Sequence, residues 1–241
     1  PATIDAIALT RAGLIDWDHR RTRILEELSI AQNNLLRHSF GEGGAAAIRS
    51  GNLVMVTSAF KGEGKSFISL NLAAGIARQA ERRVLLIDTD AKPASLGQIF
   101  GLSTAPGLLD LTRENGSDIE DLIVPTTRDN LEFLPLGNDG GDEKLSQVRI
   151  AGLIEDIGRR YSDRLIILDA APCLMSSDPH MLAPTMGQTV LVIAAGLTQQ
   201  NDIEAALDLL RSCPVISLLL NKVGRWSGRS LGAYRYSTVQ E

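Results

Sequence analysis

Residues Val54 to Ala74 read V-M-V-T-S-A-F-K-G-E-G-K-S-F-I-S-L-N-L-A-A. The apolar run Leu53 to Val56 is bounded by Gly51-Asn52 before it and small residues after it, as a short buried strand should be. Ala59-Phe60-Lys61-Gly62-Glu63-Gly64-Lys65-Ser66 follows, and then a long proline-free segment that reads as helix. Strand, glycine-rich turn and helix form the context in which a loop binds phosphate. The glycines let the backbone curl so that consecutive N–H groups point inward, and the helix N-terminus adds partial positive charge. The expected nucleotide contacts are therefore Phe60, Lys61, Gly62, Glu63, Gly64, Lys65, Ser66 and Phe67. Lys65 is expected to reach the β- and γ-phosphates, and the Ser66 hydroxyl to hold Mg²⁺. The strict pattern opens with glycine; Ala59 stands there, and a small residue still fits. The stretch predicts a bound nucleoside triphosphate.

Composition narrows the setting. With 241 residues, 44% hydrophobic and 22% charged, the chain is long enough for one soluble domain with a full core. Only 4% is aromatic, so the core must be aliphatic, as where helices cover a parallel sheet. A net charge of −5 argues against nucleic acid as the main partner, since phosphate backbones need a basic footprint. Cys173 and Cys213 lack metal or redox spacing, and His19, His38 and His180 are scattered, which suggests a reduced, cytoplasmic protein. No apolar run reaches membrane-spanning length, and no signal peptide is visible.

Residues 1–50 are expected to form an N-terminal helical extension and linker, 51–222 the nucleotide-binding domain, and 223–241 a flexible tail. From about Asp18 to His38, Ile24, Leu28, Ala31 and Leu35 recur at helical spacing, with Leu25 and Leu36 widening the stripe. Such a helix either packs on the core or serves in oligomerisation. Val84 to Ile87 is a second buried strand, ending in Asp88-Thr89-Asp90. Carboxylates two residues apart point the same way while the backbone stays extended, at the strand end where an open α/β sheet binds ligands. One can bind Mg²⁺ through water while the other takes or steers a proton. Leu165 to Leu168 is another apolar strand, and it ends at Asp169, a further hand on Mg²⁺.

Strands are also expected at 131–136, 190–194 and 215–220, with short helices at 95–100, 107–111 and 118–122. Ile150, Leu153, Ile154 and Ile157 stripe one longer helix, and Ile203, Ala206, Leu207 and Leu210 another. The Gly137 to Asp142 stretch reads as a loop. The last strand runs into Asn221-Lys222, whose side-chain amide could read the base edge or merely serve the turn. Beyond it lie Arg225, Arg229 and Arg235 with no acid before Glu241, and Tyr234 and Tyr236 near the end. That is either a solvated tail or a phosphoacceptor segment. The whole reads as an α/β fold.

On these motifs the chain resembles the bacterial tyrosine autokinases of exopolysaccharide export, and among them the stand-alone cytoplasmic kinases of exosortase-linked polysaccharide loci. The resemblance runs from about Val54 to Lys222 and rests on V-T-S-A-F-K-G-E-G-K-S, V-L-L-I-D-T-D, L-I-I-L-D-A-A-P and S-C-P-V-I-S-L-L-L-N-K. It implies a parallel sheet with helices on both faces, of P-loop nucleoside triphosphatase type, with ATP as the nucleotide. It also implies that Asp88 and Asp90 are Walker A′ carboxylates that bind Mg²⁺ and activate the acceptor hydroxyl, and that Asp169 is the Walker B carboxylate. Tyr234 and Tyr236 would be acceptors, often in trans within a ring. A membrane polysaccharide co-polymerase would be the activator and would hold the protein at the inner membrane.

Departures from the family pattern are specific. Its ring-forming Glu-x-x-Arg-x-x-Arg is here Glu26-x-x-Ser29-x-x-Gln32, and its arginine-rich turn is here Ala91-Lys92-Pro93. The related partition and division-site ATPases carry a second lysine where Phe60 stands. The expected activity is ATP-dependent phosphorylation of protein tyrosine. The alternative is a non-phosphorylating regulatory ATPase that docks to the co-polymerase, and a partition-type ATPase fits less well.

Overall fold

The computed structural model describes residues 3–16, 23–41, 46–79, 82–91, 95–112, 118–137 and 147–223. The strands are β1 (Leu53–Ser58), β2 (Val84–Asp88), β3 (Val124–Pro125), β4 (Leu131–Leu134), β5 (Leu165–Asp169), β6 (Gln188–Ala194) and β7 (Val215–Asn221). They form one sheet in the order β3-β4-β2-β5-β1-β6-β7. All neighbours are parallel except the short β3, which runs antiparallel to β4. Every residue of β1, β2, β5 and β6 is buried, which is why their sequences are continuous rather than alternating apolar runs.

Two helical layers cover the sheet. The helices are α1 (Ala6–Arg11), α2 (Arg23–Phe40), α3 (Lys65–Gln79), α4 (Leu96–Ile99), α5 (Ile119–Leu122), α6 (Gln147–Arg160), α7 (Asp178–Leu182) and α8 (Gln200–Leu210). Val54 and Val56 face a cluster built with α2 and α3, whereas Leu53 and Met55 face one built with α6 and α8. That split is the two-residue period of a strand. From Ile68 to Ala77 every residue of α3 is buried, because α2 covers its outer side. A helix enclosed on both sides carries no polar stripe.

The N-terminal residues contribute to the same core. Ile4 bridges to Thr126, Asp5 caps α1 by accepting the Ala8 N–H at 2.7 Å, and Leu9 is fully buried. Asn71 of α3 then accepts the Ile15 N–H at 2.9 Å and donates to the Gly13 carbonyl at 3.0 Å. The six residues of α1 are too few to carry a helical period that sequence alone would reveal.

The helix expected from about Asp18 is described from Arg23, and its expected stripe faces the core at Leu25, Leu28, Ala31, Leu35 and Leu36 but not at Ile24. Leu25, Leu28, Gln32, Leu35 and Leu36 are buried, while Ile24 is 39% exposed. Inside, Gln32 donates its side-chain amide to the Asn71 carbonyl at 3.3 Å, while its Oε1 has no hydrogen-bond partner among the described residues. Further along, Gln188 of β6 donates to the Leu35 carbonyl (3.1 Å), the Ser39 hydroxyl (2.9 Å) and the Gly51 carbonyl (2.7 Å). These bonds tie α2 to the entry of β1. The stretches around Lys92-Pro93, from Asn138 to Asp142 and from Gly224 onward, including Tyr234 and Tyr236, lie outside the described residues.

Because Leu9 is wholly enclosed, Leu9→Ala is expected to lower the unfolding free energy by about 2–4 kcal/mol, as large-to-small core changes do. Urea unfolding at unchanged slope is the measurement. A loss under about 0.5 kcal/mol, the usual range for surface changes, would mean the N-terminal segment is not part of the cooperative core.

Candidate active site

The site sits at the carboxyl ends of β1, β2 and β5. Strand pairing sets Val56 opposite Asp169, and Asp88 opposite the same Asp169 on the other side. Two expected residues, Asp88 and Asp169, are thus neighbours, with β1 and its loop on the other side of Asp169, before any side chain is considered. The loop from β1 to α3 takes left-handed turns at Gly62 (φ +87°) and Gly64 (φ +101°), which side chains disfavour. A Cβ on Gly64 would lie 2.1 Å from the Asn221 amide. Ala59 is 1% exposed, so the small-residue requirement at that position is met by packing.

Lys65 opens α3 and turns its ammonium into the acids. Nζ lies 2.7 Å from Asp90 Oδ2, 3.6 Å from Asp169 Oδ1 and 3.3 Å from the Ser66 hydroxyl. Burial, which would lower the lysine's pKa, is outweighed by Asp169 and Asp90, so the net shift is upward and the group stays charged. Asp169 is fully enclosed; its Oδ1 accepts from Ser69 at 3.0 Å, and its Oδ2 has no hydrogen-bond partner among the described residues. Burial lifts its pKa to about 6, against the pull of Lys65.

Asp88 and Asp90 are not equivalent. Asp88 is 1% exposed, and its oxygens accept the backbone N–H of Asp90 at 3.1 Å and of Gly97 at 2.8 Å. Burial pushes its pKa up, while the Gly97 N–H pulls it down. Asp90 instead presents its carboxylate to Lys65. Phe60 and Lys61 are exposed on the loop, Gly62 likewise, and Phe67 is half-buried against Gly13. The Asn221 side-chain amide donates to the Glu63 carbonyl at 2.8 Å, so it braces the loop.

A phosphate group fits this cradle, since the loop has inward-curling glycines, a helix N-terminus and a lysine. A divalent cation fits too: the orphaned Asp169 Oδ2 lacks a donor, and Ser66 and Asp90 supply further oxygens. Among the described residues no three acidic, histidine or cysteine side chains form a metal cage by themselves. Shared ligation with phosphate and water is the ordinary habit of Mg²⁺.

Several supporting residues were not legible beforehand. Ser69 was, in principle, since it lies one helical turn from Lys65, whose carbonyl its hydroxyl also meets at 2.9 Å. Thr57 donates to the Ala171 carbonyl at 2.6 Å, and the Cys173 N–H donates to the Ser58 carbonyl at 2.8 Å, laying the segment after Asp169 along β1. Thr198, which donates to Glu63 from far along the chain, left no local signal.

Asp169 makes stability pH-dependent. Its folded pKa of about 6 exceeds its ordinary 3.8, so the folded state holds a proton that the unfolded chain releases. The stabilisation is complete below pH 3.8 and is lost as pH rises through about 6. At 1.36 kcal/mol per unit this is ~3 kcal/mol. The nucleotide-free protein is expected to lose that amount between about pH 4 and 7 in urea titrations, and Asp169→Asn to flatten the profile. Equal slopes in both proteins would refute the assignment.

Comparison with known proteins agrees with this geometry. The CobQ/CobB/MinD/ParA nucleotide binding domain matches residues 54–235. Tyrosine-protein kinase YwqD of Bacillus subtilis is 30% identical over 171 residues, covering 70% of each chain. Tyrosine-protein kinase wzc of Salmonella typhi is 28% identical over 77% of this chain, which spans 26% of that protein. EpsB of Ralstonia solanacearum is 38% identical over 143 residues, only 18% of its length. Among solved structures, the kinase domain of Escherichia coli tyrosine kinase ETK superposes at TM-score 0.70 over 91% of this chain and 84% of that one, at 23% identity. The VpsO kinase domain does so at 0.66 over 83% of this chain and 95% of that one, at 29% identity. The described helices include none long and apolar enough to cross a membrane. A glycine loop, its lysine and the acids of two strand ends, matched along most of the chain, make this protein a member of the CobQ/CobB/MinD/ParA nucleotide-binding family, similar to its bacterial tyrosine-protein kinases.

Proposed function

We propose that the chain is an ATP-dependent protein-tyrosine autokinase acting in exopolysaccharide synthesis or export. The observation that carries this reading is the meeting of Lys65, Asp90 and Asp169 at the phosphate loop of a chain similar to tyrosine-protein kinase YwqD. The loop N–H groups and Lys65 would hold the triphosphate, and Ser66, Asp90 and Asp169 the Mg²⁺. Mg²⁺, when bound, supplies neutralising charge to the phosphates. Asp88 joins the metal-binding set through water, its own oxygens being engaged by backbone N–H groups.

Asp90 is the better candidate to accept the proton of the acceptor hydroxyl, because its carboxylate is held by a side chain that a nucleotide would draw away. The tyrosine oxygen then bonds to the γ-phosphorus, the bond to the β-phosphate oxygen breaks, and ADP leaves. Tyr234 and Tyr236 are the proposed acceptors; Tyr161 is buried and donates to Glu120 at 2.6 Å, which makes it a poor one. A membrane polysaccharide co-polymerase is the proposed activator, and docking to it would bring this chain to the inner membrane. A homo-oligomer fits the family habit.

One observation favours a second reading, a regulatory ATPase that transfers nothing. Gln32, standing where ring-forming relatives carry arginine, is turned inward to Asn71. Intact-mass and phosphotyrosine analysis after incubation with Mg²⁺ and ATP tests both. Phosphate on Tyr234 or Tyr236 is expected, abolished by Lys65→Met and reduced at least about 10²-fold by Asp90→Asn. Asp88→Asn is expected chiefly to lower thermal stability, since an amide NH₂ would face backbone N–H groups. Undiminished labelling of Lys65→Met would refute the kinase reading, and nucleotide binding without any phosphate transfer would support the second.

A further inference from the structure

Glu63 sits within the phosphate loop, 5% exposed, with both carboxylate oxygens engaged. Oε2 accepts the Phe60 N–H at 2.9 Å, and Oε1 accepts the Thr198 hydroxyl in a close contact. That hydroxyl in turn accepts the N–H of Ala194, the last residue of β6, at 3.1 Å. The Glu63 carbonyl accepts the Asn221 side chain at 2.8 Å, at the end of β7. The loop is therefore pinned to the ends of two strands that contribute none of the acids.

A carboxylate beside a phosphate site is unfavourable by charge, and burying it costs free energy unless its oxygens are paired. Charge repulsion alone would select a neutral residue here. What Glu63 provides is reach: one side chain spans the loop from Phe60 to Thr198. We propose that Glu63 and Thr198 are a positioning pair that sets nucleotide affinity by holding the loop N–H groups in place before the nucleotide arrives. Both act through the loop, not on the reacting atoms. The inference rests on the nucleotide-binding part of the proposed function and not on tyrosine transfer.

The test is a fluorescent-ATP titration of the full chain with Mg²⁺, with thermal melting to establish that each variant is folded. Thr198→Val is expected to weaken binding about 10-fold, the size of one lost charge-assisted hydrogen bond, and Glu63→Ala, which removes two, by at least about 10-fold. Thr198→Ser keeps the hydroxyl that donates to Glu63 and is expected to stay within about threefold, whereas Glu63→Gln keeps one acceptor and turns an amide NH₂ on the other donor, so it is expected to weaken binding beyond that. Glu63→Asp keeps the charge but cannot span both partners, and is expected to weaken binding as alanine does. The double variant Glu63→Ala/Thr198→Val should be no weaker than the worse single one, because the two residues form one link. Unchanged affinity in the single variants, additive losses in the double, or tighter binding by Glu63→Ala would each overturn the pair. Phosphotyrosine is not read, so failure of the kinase reading leaves the result standing.

Discussion

Everything at the carboxyl edge of the sheet depends on one ammonium group among acids. Lys65 meets Asp90 at 2.7 Å and Asp169 at 3.6 Å, with Asp88 paired in register beside Asp169. Three carboxylates and one lysine leave a surplus of negative charge in a nearly dry place, where charges interact strongly. The upward shift of Asp169 to about 6 is the result of that burial and crowding. The same surplus makes the cluster receptive to a divalent cation, whose charge would allow Lys65 to turn toward phosphate.

This cluster is held by structure that does no chemistry. The helix that begins at Lys65 is buried from Ile68 to Ala77 between the sheet and α2, which anchors the turn that carries Lys65. The segment before α2 is fastened to it by Asn71, and α2 is fastened to the entry of β1 by Gln188. Buried amides that spend their donors on backbone carbonyls are directional, as apolar packing is not. They fix how α2 and the segment before it sit against α3 and the start of β1.

Phe60, at the position where the partition and division-site ATPases carry a second lysine, is 39% exposed on the loop. Gln32, at a position where the resemblance calls for arginine, is internal. In this chain Gln32 serves its own α3, while Glu26, Glu27 and Ile30 of the same turns stay exposed.

Much of this was legible from residue order alone. Apolar runs ending in Asp88 and Asp169, and a glycine turn before Lys65-Ser66, announced a parallel sheet with a phosphate site, because strand period and loop chemistry are local properties. The stripe of α2 was legible but its edges were not: Ile24 lies outside and Gln32 inside, since a wide apolar stripe leaves its margins open until a partner carbonyl selects them. Nor was the difference between Asp88 and Asp90, two acids of equal standing in the sequence. It arises because Gly97 and Asp90 aim their N–H groups at one of them. The contact from Glu63 to Thr198 is of the same kind. Local pattern determines where a strand ends and which residue types stand there; which of their oxygens remain for a ligand is decided by hydrogen bonds across the fold, and those exist only once distant segments are packed together.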